Sequence, residues 1–266
     1  MPVNRKADEY TVRVIERLGE AVIEGVVVLG NFVLFLLSAL RYMLTPPYKP
    51  RLLIRQLRTI GAESFFLVGL IGLFTGMVLG LQGYNTLRRF GSEGELGTVV
   101  ALVLVRELGP VLAALMVTAR AGSAMAAEIG AMQATEQVDA LTVMAINPVQ
   151  YLVSPRVLAG VISLPLLTCM FDVIGIWGGY AVGVGLMGAS SGPFFNGIAQ
   201  NMRSHDIAIG LYKALVFGMV VMWVCCYKGY HAARMATGVS RAATDAVVLS
   251  SVLILAWDYF MTSILL

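Results

Sequence analysis

The chain has 266 residues, of which 58% are hydrophobic and 13% charged, with a formal net charge of +3. A soluble domain carries roughly 25% charged residues, so this composition excludes an ordinary soluble globular protein and implies an integral membrane protein. The length allows several spans at roughly 20 apolar residues each, and no Ser/Pro-rich linker or low-complexity tract divides it into separate domains. Cys169, Cys225 and Cys226 lie in apolar runs without CxxC or Cys/His spacing, which implies neither a metal site nor a disulfide frame.

In chain order, residues 10–24 predict an amphipathic helix. Ile15, Leu18 and Val22 form one stripe, and Glu16, Glu20 and Glu24 another, flanked by Arg13 and Arg17. Val26 to Leu40 is apolar apart from Asn31 and Ser38, and it begins too far from the start for a secretory signal. The run is short for a span and has basic residues on both sides. A crossing would therefore send one basic cluster outward, against the positive-inside tendency. An interfacial or half-inserted helix in the cytoplasmic leaflet is favoured over a span. Thr45-Pro46-Pro47 breaks it, because proline cannot continue the backbone ladder.

Five spans follow, at about 65–87, 98–121, 154–187, 207–227 and 246–266. The first carries Gly72, Gly76 and Gly80 at four-residue spacing, and the third carries Gly175, Gly179 and Gly183, both seams for close helix contact. Ser154 and Pro155 are expected to open the third span as N-cap and first helical residue. Residues 188–206 read as a polar loop and Lys228 to Arg241 as a basic one. Five crossings from a cytoplasmic N-terminus put the basic loops inside and the C-terminus outside, with Arg88, Arg89 and Arg203 against the trend. The expected fold is an all-α integral membrane protein. It has about five transmembrane helices and an N-terminal amphipathic interfacial helix, with a boundary near residue 58 between the interfacial region (1–58) and the transmembrane domain (59–266).

Costly residues concentrate between Arg106 and Asp139. Arg106 and Glu107 are adjacent, so they project about 100° apart on a helix, and each costs roughly 2.5 kcal/mol or more if it meets hydrocarbon. They line a cavity that meets a polar ligand, or they are paired structurally with carbonyls or another helix. Pro110 is expected to kink the helix one turn on. Arg120 reads as an interfacial anchor, and the small residues Gly122 to Ala127 as a packing patch. Glu128 to Met144 reads as one surface helix with Ala134, Val138, Leu141 and Ala145 on its apolar stripe. It is a re-entry segment or a docking helix for a cytoplasmic partner. Gln82 is placed to reach the cavity. Asp172 and Asp258 are intramembrane carboxylates that suit a proton relay or a satisfied structural role, and no matching Lys or His chain is evident.

Other chemistries lack their motifs. Gly183-Val-Gly-Leu-Met-Gly188 matches GxGxxG but ends an apolar helix instead of following a strand, and no GxxxxGK[ST] occurs, so no P-loop binds ATP here. His205 and His231 are isolated, and Ser123 has no nearby His or Lys, which argues against metal, His-based or serine-hydrolase catalysis.

Eight motifs in order carry a resemblance. They are Leu81-Gln-Gly-Tyr84, Arg106-Glu-Leu-Gly-Pro110, Ala119-Arg-Ala-Gly-Ser-Ala124, Ala127-Glu-Ile-Gly130, Ala134-Thr-Glu-Gln137, Ser154-Pro-Arg156, Gly175-Ile-Trp-Gly-Gly179 and Gly238-Val-Ser-Arg241. From about residue 60 onward the chain closely resembles the MlaE/YrbE family of ABC-transporter permeases. The resemblance implies a homodimeric, multi-pass permease of the Gram-negative inner membrane. Its implied partners are a cytoplasmic MlaF-like ATPase that binds the ATP, an MlaB-like STAS-domain protein and a periplasmic MlaD-like MCE-domain carrier. The implied activity is movement of glycerophospholipids between the two membranes, preserving outer-membrane lipid asymmetry, with no cofactor or enzymatic reaction on this chain. Leu79, Gln82, Leu87, Phe90, Arg106 and Glu107 would line the lipid pocket, Phe90 standing where some relatives have tyrosine. The segment 128–144 would be the coupling helix, meeting the ATPase through Glu128, Glu136 and Asp139. Two other classes stand beside this one: an ion-coupled secondary transporter using Glu107, Asp172 or Asp258, and a scaffold that only anchors partners.

Overall fold

The structure, a computed structural model, describes the backbone of residues 5–44 and 50–265, with side chains for residues 19, 20, 23–43 and 50–265. The described residues are helices and short connections with no strand. We number them α1 (Arg5–Leu44), α2 (Pro50–Ile60), α3 (Phe65–Arg89), α4 (Glu93–Ala134), α5 (Gln137–Val143), α6 (Val149–Leu186), α7 (Ser191–Asn201), α8 (Ser204–Tyr230) and α9 (Ala236–Leu265). Among the described residues, six helical runs are long and apolar enough to cross a membrane. Five contain the expected spans, and the sixth is Ile23–Met43 within α1.

Residues 10–24 and 26–40 thus belong to one helix instead of two segments. The stripe of Ile15, Leu18 and Val22, and the break at Thr45-Pro46-Pro47, fall outside the described side chains and backbone. Phe32 stacks on Trp223 at 3.9 Å and Phe35 meets Tyr227 and His231 edge-on, while the Tyr42 hydroxyl accepts from Asn147 Nδ2 at 2.8 Å. These contacts seat α1 on α8 through Phe32 and Phe35 and beside the entry to α6 through Tyr42.

The two glycine seams are the two sides of one joint. A Cβ on Gly76 would fall inside the carbonyl group of Gly175, one on Gly80 would come 2.6 Å from the Gly179 oxygen, and one on Gly72 would come 2.9 Å from the Phe171 oxygen. Only hydrogen in place of a side chain lets the α3 and α6 backbones approach this closely. The patch after Arg120 works the same way. Gly122 faces Cys225 Sγ, Gly229 faces the Ala126 oxygen, and Gly130 faces Ala232 and Val239, so these small residues pack on α8 and the start of α9 within the chain.

Three boundaries differ from expectation. First, α6 opens at Val149, five residues before Ser154, because Asn147 Oδ1 accepts from the backbone N–H of Val149 and Gln150 at 3.0 and 3.3 Å. Pro148 sits at the helix entry, where it gives up no hydrogen bond. Asn147→Ala should cost about 1 kcal/mol, read as a lower unfolding midpoint. Second, residues 188–206 are not a polar loop. Phe194, 1% exposed, anchors α7 against Gly97 of α4 and against Tyr180 of α6. Asn201 Nδ2 donates to Thr98 Oγ1 at 3.2 Å. The chain is extended at Met202 and Arg203 and re-enters helix at Ser204. A Cβ on Gly210 would overlap the Val105 carbonyl, so α8 begins one or two turns into α4 and Arg203 lies at that break instead of in a distal outer loop. Third, 128–144 is not one helix. The α4 helix ends at Ala134, Glu136 adopts a left-handed φ of 57°, and α5 starts at Gln137. The Thr135 hydroxyl closes the α4 end by donating to the Ala131 oxygen at 2.9 Å.

Candidate functional site: a five-charge cluster on the long helix

Arg106 and Glu107 lie in a π-type turn of α4, Leu104–Leu108. Such turns are rare and recur at functional sites. Pro110 helps explain this one: it has no N–H, and its ring is incompatible with a regular bond to the carbonyl four residues back. That carbonyl belongs to Arg106, and it accepts instead from Lys213 Nζ of α8 at 3.0 Å.

Lys213 is fully buried and organises the cluster. Its Nζ lies 2.7 Å from Glu107 Oε2, 2.7 Å from Thr262 Oγ1 and 3.0 Å from Asp258 Oδ1. An ammonium has three N–H donors; here they go to Glu107, Thr262 and the Arg106 carbonyl, so Asp258 is held by charge. Toward the start of α8, Arg106 Nε donates to Asp206 Oδ1 at 2.9 Å, while Asp206 Oδ2 accepts from the Arg203 N–H at 2.9 Å and caps α8. Two cations and three carboxylates from α4, α8 and α9 thus meet inside an apolar bundle. Taking them from water costs several kcal/mol per ion, recovered only by this density of charge-assisted bonds. Lys213 and Asp206 are enclosed, whereas the Arg106 and Glu107 side chains remain 31% and 34% exposed. The cluster therefore holds three helices together and still presents one guanidinium and one carboxylate outward.

Leu79 and Leu87 are partly buried, and Gln82 and Phe90 are exposed. Gly83 faces Leu96 while Leu104 faces Gly175, opposite Gly76. At 1.5 Å per residue, Gln82 therefore lies roughly 10 Å from Arg106 along the bundle, toward the C-terminal end of α3, and Phe90 further still. The six expected pocket residues occupy two levels within one chain.

The residues expected to meet a partner separate in the same way. Glu128 pairs with Arg156 at 2.7 Å, and Arg156 is 3% exposed, so Glu128 is bonded into the bundle at a crevice shared with Arg55, Gln56 and Tyr151. Glu136 is exposed at the turn after α4, and Asp139 pairs with Arg234 at 2.8 Å. Val143 and Met144, at the end of α5, are 87% and 60% exposed. Arg120 donates to Glu63 Oε2, Ser64 Oγ and the Thr59 carbonyl at 2.8–3.1 Å, so its anchor is the α2–α3 corner.

Lys213, Asp206 and Thr262 escaped the sequence reading, which found no lysine to match Asp258. A signal existed for one of them. Lys213 is the only charged residue between Asp206 and Lys228, and a lone intramembrane lysine implies a carboxylate partner.

Comparison with known proteins places the chain. The family model described as Permease MlaE matches residues 53–264. A probable ABC transporter permease protein of Rickettsia felis is 43% identical over 93% of this chain and 95% of its own length. The intermembrane phospholipid transport system permease protein MlaE of Haemophilus influenzae is 43% identical over 96% of this chain and 98% of its own. With its multi-pass helical bundle and its charged cluster on α4, the chain belongs to the MlaE permease family.

Proposed function

We propose that this chain is the membrane subunit of an ABC transporter that moves glycerophospholipids between the inner and outer membranes and so maintains outer-membrane lipid asymmetry. It would act as a homodimer in the inner membrane, with a cytoplasmic ATPase, a STAS-domain protein and a periplasmic MCE-domain carrier. The observation that carries this reading is the continuity of α4. One 42-residue helix bears Arg106 and Glu107 and ends at the exposed turn containing Glu136. A push on that turn is delivered along one continuous helix to the charged cluster, while α8 and α9 are tied to the same cluster. The two levels of expected contacts suit an amphiphile: apolar tails along Leu79, Leu87 and Phe90, with Gln82 beside them, and a polar group at Arg106 and Glu107.

The docking half of this reading is tested by purification of the complex. Glu136→Lys should lower the yield of co-purified ATPase while leaving the amount of this chain unchanged. An ATPase yield equal to wild type counts against docking at this turn. A second reading, ion-coupled secondary transport, draws on Lys213 sitting between Glu107 and Asp258. It predicts solute movement by this chain alone in liposomes under a proton gradient, which the ABC reading predicts to be absent.

A further inference from the structure

Asp172 stands outside the five-charge cluster. It lies on α6 and is 9% exposed, and its Oδ1 has no hydrogen-bond donor among the described residues. One turn back, Thr168 is 1% exposed and its hydroxyl is also unpartnered. Both line a cavity of about 160 Å³ between α4, α6 and α8, walled by Val105, Ile176 and Leu211. The mouth is formed by Cys169, Val173 and Ile207, all exposed apolar or weakly polar residues. Asp172 is built into this place: its enclosed Oδ1 lies against Gly109 of α4, where a Cβ would overlap it, which leaves Oδ2 as the carboxylate oxygen with accessible surface. The cations of the neighbouring helices are already engaged: Arg106 with Asp206, and Lys213 with Glu107 and Asp258.

A buried carboxyl with no partner is costly in an apolar wall, and the hydrocarbon core supplies no water to satisfy it. A molecule from the lipid phase that brings a donor would supply what the surrounding helices do not. The cavity is smaller than the roughly 300–1,000 Å³ of a whole small-molecule pocket, so it accepts one end of a ligand. A primary ammonium supplies countercharge and N–H donors together, whereas a quaternary ammonium has no N–H and a hydroxyl has no charge. We infer that the Asp172–Thr168 cavity is a subsite for the primary ammonium headgroup of an aminophospholipid. This rests on the reading that the chain moves phospholipids, and it names a headgroup class for it.

The chain carries its own reporter. Cys169 at the mouth is exposed, whereas Cys225 and Cys226 are buried. The full-length chain is reconstituted in phosphatidylcholine vesicles, alone or with phosphatidylethanolamine or phosphatidylglycerol added, and labelling of Cys169 by a membrane-partitioning diazirine, whose carbene inserts without a thiolate, is timed. Phosphatidylethanolamine should slow the reaction, and phosphatidylcholine and phosphatidylglycerol should not. Asp172→Asn should raise the phosphatidylethanolamine fraction needed for half-protection by about tenfold or more, as for loss of a charge-assisted hydrogen bond. If Asp172→Asn does not reconstitute, the wild-type comparison decides alone. Equal rates in all three lipids, equal protection by phosphatidylglycerol, or protection that survives Asp172→Asn overturns the subsite. ATP-driven phospholipid transfer by the wild-type complex separates the two claims. Transfer without protection sinks the subsite alone, and protection without transfer sinks the transport reading alone.

Discussion

Lys213→Met is expected to destabilise the chain by about 3–5 kcal/mol, the range for removing one partner from a buried ion pair. Methionine keeps the length and apolar stem of lysine but has no ammonium. Glu107 and Asp258 would then face each other without the cation that holds both, and the Arg106 carbonyl freed by Pro110 would lose its donor. The check is the thermal unfolding midpoint in one detergent or nanodisc. The triple variant Lys213→Met, Glu107→Gln, Asp258→Asn should recover part of the loss, since it removes the uncompensated charge along with its partner. A midpoint for Lys213→Met equal to wild type would show that the cluster is not the joint between α4, α8 and α9.

The second large effect is steric. Gly76→Ala puts a methyl group into the Gly175 carbonyl, so α3 and α6 must separate at the centre of their contact. Overpacking of this kind costs about 1–3 kcal/mol and sometimes more. Gly185→Ala supplies the control. No atom lies within 4 Å of its would-be Cβ, and the helix propensity of alanine predicts a neutral or slightly stabilising change of up to about 1 kcal/mol. Equal unfolding midpoints for the two variants would contradict the account of the α3–α6 joint.

The legible parts of this molecule were those written locally. Spans came from long, predominantly apolar runs, and the glycine seams from their four-residue spacing, because one helix suffices to define both signals. Their pairing with each other is tertiary and was not written in either. Residues 188–206 misled because Gly, Ser and Asn recur throughout the segment, whereas Phe194, buried against Gly97, decides the structure. Ser154-Pro155 looked like a helix start because the pattern recurs there, yet Asn147-Pro148 carries the same chemistry seven residues earlier and has the free N–H groups to cap. The break at Glu136 depends on a left-handed backbone that a glutamate does not advertise. At the site, the cost of Arg106 and Glu107 marked them from sequence, but their partners come from helices a hundred or more residues away.

The central claim is that Arg106 and Glu107, carried on α4, contact the transported lipid. ATP-driven phospholipid transfer from donor vesicles, by the complex of this chain with the proposed ATPase and carrier, tests it directly. Arg106→Ala and Glu107→Ala should each lower the transfer rate by about 10- to 100-fold, the loss expected for a charge-assisted contact, in complexes that still co-purify intact. Wild-type transfer rates in both variants would contradict the claim.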